Sequence, residues 1–79
     1  MPWAECDVNR AGPAENGIIY IHLRHKDGTF NHWFEANSNM KKEMLATALA
    51  AMNMGARVQA RITDTAAYSE IQRLYVKKA

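Results

Sequence analysis

Ile18-Ile19-Tyr20-Ile21-His22-Leu23-Arg24-His25-Lys26-Asp27-Gly28-Thr29-Phe30-Asn31-His32-Trp33-Phe34-Glu35-Ala36 decides the fold of this chain. Two runs rich in β-branched and aromatic residues, Ile18–His25 and Thr29–Ala36, flank Asp-Gly, a strong turn signal for a β-hairpin. Register follows from parity. A two-residue turn at Asp27-Gly28 opposes Leu23 to His32, Ile21 to Phe34 and Ile19 to Ala36, and a four-residue turn keeps the same pairing. One face then carries Ile19, Ile21, Leu23, Phe30, Phe34 and Ala36. The other carries Tyr20, His22, Arg24, Asn31, Trp33 and Glu35. A three-residue turn would slip one strand and put Glu35 among the apolar residues.

Beyond the hairpin the pattern changes to a helical period. Met40, Met44, Leu45, Ala48, Leu49 and Met52 form one stripe, predicted to face the core. Asn37, Ser38 and Asn39 are candidate N-caps, and Gly55 stands where a helix ends in a positive-φ residue. Next, Arg57-Val58-Gln59-Ala60-Arg61-Ile62 alternates strictly, with Val58, Ala60 and Ile62 inward. A last strand over about 71–76 contains Ile71 and Leu74 in opposite parity, which a bulge would reconcile. Trp3–Asn9 reads as the opening strand, followed by a loop from Gly12-Pro13 to Asn16-Gly17. The fold class is therefore mainly β with one α-helix, in the order β-β-β-α-β-β across residues 1–79. That is the order of a five-stranded oligonucleotide/oligosaccharide-binding (OB) barrel.

Composition bounds the function. The 79 residues carry a formal net charge of +2, and the basic residues are spread along the chain, so nucleic acid is a disfavoured partner. Cys6 is the single cysteine, which leaves no intrachain disulfide. No apolar run is long enough to span a bilayer, and membrane insertion is not expected. Met1-Pro2-Trp3 carries no signal-peptide pattern. Localisation is expected to be secreted or periplasmic where a leader has been removed, and cytoplasmic otherwise.

Lys41-Lys42-Glu43-Met44-Leu45-Ala46-Thr47-Ala48-Leu49-Ala50-Ala51-Met52, followed by Gly55-Ala56-Arg57-Val58, resembles the helix-to-strand segment of B subunits of A–B pentameric bacterial toxins. The likeness is to the subtilase-cytotoxin and pertussis-like branch and its small secreted relatives. Leu74-Tyr75-Val76 resembles their closing strand, and the similarity covers about residues 17–78. It implies an OB barrel, a homopentameric ring joined by strand edges with helices lining a pore, glycan recognition on the outer surface, and a catalytic A subunit as a possible companion. Many members of that family carry a disulfide, which this chain lacks.

The chemistry-bearing residues point to binding. His22 falls on the opposite face from His25 and His32, so the histidines do not converge as metal ligands. Ser38 is better read as a helix cap, and Cys6 has no local activating histidine. No phosphate-binding glycine loop or working carboxylate pair occurs, so neither an enzyme nor a cofactor is expected. Tyr20, His22, Arg24 and Trp33 form the candidate ligand-binding patch, since flat rings beside polar groups suit a sugar or a nucleobase. Cross-strand support or a subunit contact is the competing reading. Lys42, Ala46, Ala50 and Asn53, on the outward helix face, are the candidate oligomer interface; an exposed alanine face also follows from helix propensity alone. Arg57, Arg61 and Arg73 could form a weak basic stripe. Two other roles stay open beside the glycan-binding ring: a single-stranded nucleic-acid binder and a structural assembly protein without ligand.

Overall fold

The computed structural model describes residues 3–77; Met1 and Pro2, considered above for a leader, and residues 78 and 79 lie outside it. Five strands and one helix follow in the expected order: β1 Trp3–Pro13, β2 Ile19–His25, β3 Asn31–Ala36, α1 Lys41–Met54, β4 Arg57–Ile62 and β5 Glu70–Lys77. The strands close into a barrel ordered β1-β2-β3-β5-β4. This is an OB-like barrel, and closure removes most of the edge that a short sheet would expose. The seam is a brief parallel pairing of Glu35 with Glu70 and Ala36 with Ile71.

The hairpin register is the one parity requires, with Leu23 opposite His32 and Ile21 opposite Phe34. Its loop is the four-residue form: the His25 N–H donates to the Phe30 carbonyl at 3.0 Å, and the Gly28 N–H to the His25 carbonyl at 2.8 Å. Gly28 has φ +81°, a conformation that glycine adopts without strain. All six inward hairpin residues are buried, together with Ala4, Cys6, Val58, Ala60, Ile62, Ile71 and Leu74. The parity conflict in β5 is resolved as expected. Arg61 pairs with Arg73 and Ile62 with Ile71, so Gln72 is the bulged residue and both Ile71 and Leu74 turn inward.

Three expectations are corrected. β1 runs to Pro13 rather than ending near Asn9, so Gly12 and Pro13 belong to the strand and the turn occupies residues 14–18. None of Asn37, Ser38 and Asn39 caps α1. Met40 is the N-cap residue without a side-chain bond, while the Asn37 carboxamide oxygen closes a local turn by accepting the Asn39 N–H at 2.8 Å. The helix stripe is also narrower than its period suggested. Met44, Ala48 and Ala51 are buried, whereas Met40, Leu49 and Met52 are each about two-fifths exposed. The helix seats on the barrel through one line of residues at i, i+4 and i+7, and small alanines permit the closest approach. Its C-terminus closes as a Schellman motif: the Ala56 N–H donates to Ala51 O at 2.9 Å and the Gly55 N–H to Met52 O at 3.3 Å, with Gly55 at φ +65°.

A carboxylate network ties the strands from outside. Glu5 on β1 accepts from Lys77 Nζ at 2.7 Å and from Arg57 Nη1 at 3.5 Å, with Lys26 Nζ at 3.6 Å. The Lys77 hydrogen bond, with the nearby positive charges, holds the Glu5 carboxyl below its ordinary value of 4.5 despite the opposing effect of burial. A carboxyl depressed in the folded state adds stability above its unfolded pKa and loses it as pH falls through the folded value. Wild type is therefore expected to lose its advantage over Glu5→Gln as pH drops below 4.5. Urea midpoints of the two proteins measured from pH 7 to 3 check this; a constant gap across that range would exclude the network as a pH-dependent brace.

Candidate functional site

The outward face of β1, β2 and β3 is organised in rows across the sheet. Arg10, His22 and Trp33 make one row, because Arg10 pairs with His22 and His22 with Trp33. Gly12, Tyr20 and Glu35 make the next. Asp7, Arg24 and Asn31 make a third on the other side. Arg10 reaches this face only through an irregularity in β1. Val8 pairs with Leu23 but Arg10 with His22, so Asn9 is an extra residue and the parity of the strand reverses there. Bulges re-aim side chains in this way. Val8 and Ala11 stay packed on the core while Asn9 and Arg10 both face out.

A cleft of about 540 Å³ lies over the first two rows, lined by Arg10, Gly12, Pro13, Tyr20, Trp33 and Tyr68 among others. Gly12 stands opposite Tyr20, and a Cβ placed on it would meet nothing within 4 Å. The strand thus contributes open space rather than a side chain beside the Tyr20 ring. Tyr68 comes from the loop between β4 and β5. That loop is fastened to β3 at three points: the Tyr68 N–H donates to Trp33 O at 2.7 Å, the Glu35 N–H to Ser69 O at 3.0 Å, and His32 Nε2 to Thr65 O at 2.6 Å. The Tyr68 ring meets Tyr20 edge to face, with centroids 5.7 Å apart.

His22 supports the site from beside it. Its ring packs edge-on against Trp33 at 5.1 Å. Burial lowers its pKa from the ordinary 6.5, and the charges of Arg10 and His32 add to the effect. The neutral ring suits its contact, because Nδ1 lies 3.3 Å from the Asn9 amide nitrogen and accepts from it. Asn9 also donates to Asn31 Oδ1 at 3.2 Å.

Of the four residues in the sequence-derived patch, Tyr20 and Trp33 line the cleft and His22 backs it. Arg24 does not join them; its guanidinium lies 3.5 Å from Asp7, in the third row. The cation of the cleft is Arg10, which has no carboxylate partner among the described residues. Lys42, Ala46, Ala50 and Asn53 are exposed on α1, beside the exposed Leu49, Met52 and Met54. A second depression of about 490 Å³ runs between α1 and β5 past Met40, Met44, Leu74 and Tyr75. Near it, Tyr75 stacks on Trp3 with centroids 5.6 Å apart. Cys6 is fully buried, and burial pushes its thiol up to about 12, so it stays protonated at neutral pH.

The fold and the cleft together define an OB-like barrel with an aromatic-lined hollow over β2 and β3, between the β1–β2 and β4–β5 loops. No family model, curated protein or solved structure matches the chain.

Proposed function

We propose that the chain is a non-catalytic recognition module that holds a sugar ring of a glycan in the Arg10–Tyr20–Trp33–Tyr68 cleft, as one protomer of a ring resembling toxin B subunits. The cleft carries this reading. It sits where OB barrels take oligosaccharides and oligonucleotides, on the β2–β3 face between the β1–β2 and β4–β5 loops. Its aromatic faces match the apolar face of a sugar, while the tyrosine hydroxyls, the indole N–H and Arg10 offer hydrogen bonds to the ring's edge.

Charge favours a sugar over a nucleic acid. A groove that follows a single strand needs a track of cations. Here Arg24, Lys26, Arg57 and Lys77 are engaged with Asp7 or Glu5, leaving Arg10 at the cleft. The ring part of the proposal rests on the resemblance and on α1. The Lys42–Ala46–Ala50–Asn53 face lies beside Leu49 and Met52, which a lone barrel leaves in water.

Two measurements on the wild-type protein test the reading. A glycan array is expected to give defined hits, with binding to immobilised mucin that changes little with salt. Sedimentation is expected to give a mass near five times the 8.9 kDa of one chain. Binding to a twelve-residue thymidine oligonucleotide that weakens steeply with salt would replace the glycan by a single strand. A stable oligomer with neither ligand would leave an assembly role, and a strict monomer would remove the ring.

A further inference from the structure

We infer that Tyr68 is a specificity-determining residue of the cleft, held above it in a strained backbone conformation as a second aromatic wall. The inference rests on the proposed ligand reading and adds to it what the ligand must look like. Tyr68 has φ +65° and is the one non-glycine residue with positive φ among the described residues. A bulky L-residue rarely adopts this left-handed region, because Cβ crowds the carbonyl oxygen. Glycine or asparagine would occupy it at lower cost.

Burial does not offset the strain. The residue is 59% exposed, and its ring touches Tyr20 only by an edge-to-face contact. The main-chain bonds of the loop, from the Tyr68 N–H to Trp33 O and from the Glu35 N–H to Ser69 O, use no part of the Tyr68 side chain. Any residue that tolerates the conformation would keep them. The ring therefore does little for the barrel, and its effect falls on the cleft it lines. Strain of this kind gathers at ligand sites, where surrounding structure over-determines it.

The consequence concerns ligand shape. Tyr20 and Trp33 rise from the sheet and Tyr68 enters from the loop, so apolar surface borders the cleft on two sides. A ligand with one apolar face satisfies only the sheet. The Tyr20 and Tyr68 rings meet at nearly a right angle, so two successive sugar rings turned relative to one another engage both walls. The cleft thus selects oligosaccharides over a single flat group.

The test uses the full chain with Tyr68→Gly, Tyr68→Asn and Tyr68→Phe, with immobilised mucin as the binding probe and thermal unfolding as the stability readout. Tyr68→Phe keeps the ring and loses only the hydroxyl, so it is expected to bind more tightly than the Gly and Asn variants. The Gly and Asn variants are expected to bind about tenfold more weakly, the loss typical of an interface hot spot. Their Tm is expected to hold or to rise by up to roughly 4 °C, because strain is relieved. Wild-type affinity in both variants overturns the inference, and so does a Tm drop of more than roughly 4 °C, which would make the ring a structural prop. Absence of mucin binding by the wild type, together with an empty glycan array, would instead overturn the glycan reading on which the inference rests.

Discussion

Phe34→Ala is expected to lower the melting temperature of the chain by roughly 15–30 °C. Phe34 has no exposed surface and pairs across the hairpin with Ile21, also fully buried. Its ring meets Phe30 edge to face at 5.2 Å and His32 at 5.0 Å, so one side chain joins the hairpin core to the histidine that fastens the β4–β5 loop. Truncating a buried phenylalanine costs about 3–5 kcal/mol, combining lost transfer energy with the cavity left behind. A chain of 79 residues has roughly 4–12 kcal/mol of stability in total. The loss is a large fraction of that total and leaves no margin at its lower end. Thermal unfolding followed by far-UV circular dichroism checks it, with Phe34→Leu as a milder companion that keeps most of the volume. A Phe34→Ala protein that melts within a few degrees of wild type would mean that the hairpin core carries far less of the stability than its burial implies.

The core was legible because parity is a strong signal where one face is buried. Alternation in Ile19-Tyr20-Ile21-His22-Leu23 leaves a single register that keeps Glu35 out of the interior, and the barrel uses that register. The clash of parity between Ile71 and Leu74 likewise implied the irregularity found at Gln72. In the helix, period located the side but not the line of contact. Met40, Leu49 and Met52 are large and apolar, yet Ala51 takes the buried place, because a helix resting on a barrel end touches through a narrow strip. Side-chain size says nothing about where that strip runs.

The candidate site was half legible for a related reason. Tyr20 and Trp33 share the outward face of one hairpin, and parity alone brings them together. Arg10 comes from another strand, and the extra residue at Asn9 reverses the alternation that would otherwise turn it inward. Tyr68 lies in a loop whose left-handed backbone has no sign in its sequence, since tyrosine is among the residues least suited to it. Arg24 failed to join for the opposite reason: its face was read correctly, but its row also holds Asp7, its cross-strand partner, which takes its charge.

Trp33→Ala is expected to cost the largest share of ligand binding, a fall of about thirtyfold or more in affinity for mucin glycans, equivalent to about 2 kcal/mol. Trp33 occupies the middle of the site. It lines the cleft, is braced by His22 at 5.1 Å, and gives its carbonyl to the Tyr68 N–H at 2.7 Å. That last contact belongs to the main chain, so the alanine variant retains the bond that seats the β4–β5 loop. The loss therefore reports the indole rather than a displaced loop. Stability should change little in comparison with Phe34→Ala, because Trp33 faces outward and is only half-buried. His22→Ala is expected to fall between, since it removes the brace and leaves the indole. Arg24→Ala separates two geometries for the ligand. A glycan confined to the cleft is indifferent to Arg24, which lies one row away and paired with Asp7. A ligand laid along the whole outward face of the hairpin would cross Arg24 and lose affinity with it. Titration of the Trp33, His22 and Arg24 variants against the same mucin surface decides between them, and equal losses at Trp33 and Arg24 would move the site from the cleft to the open sheet.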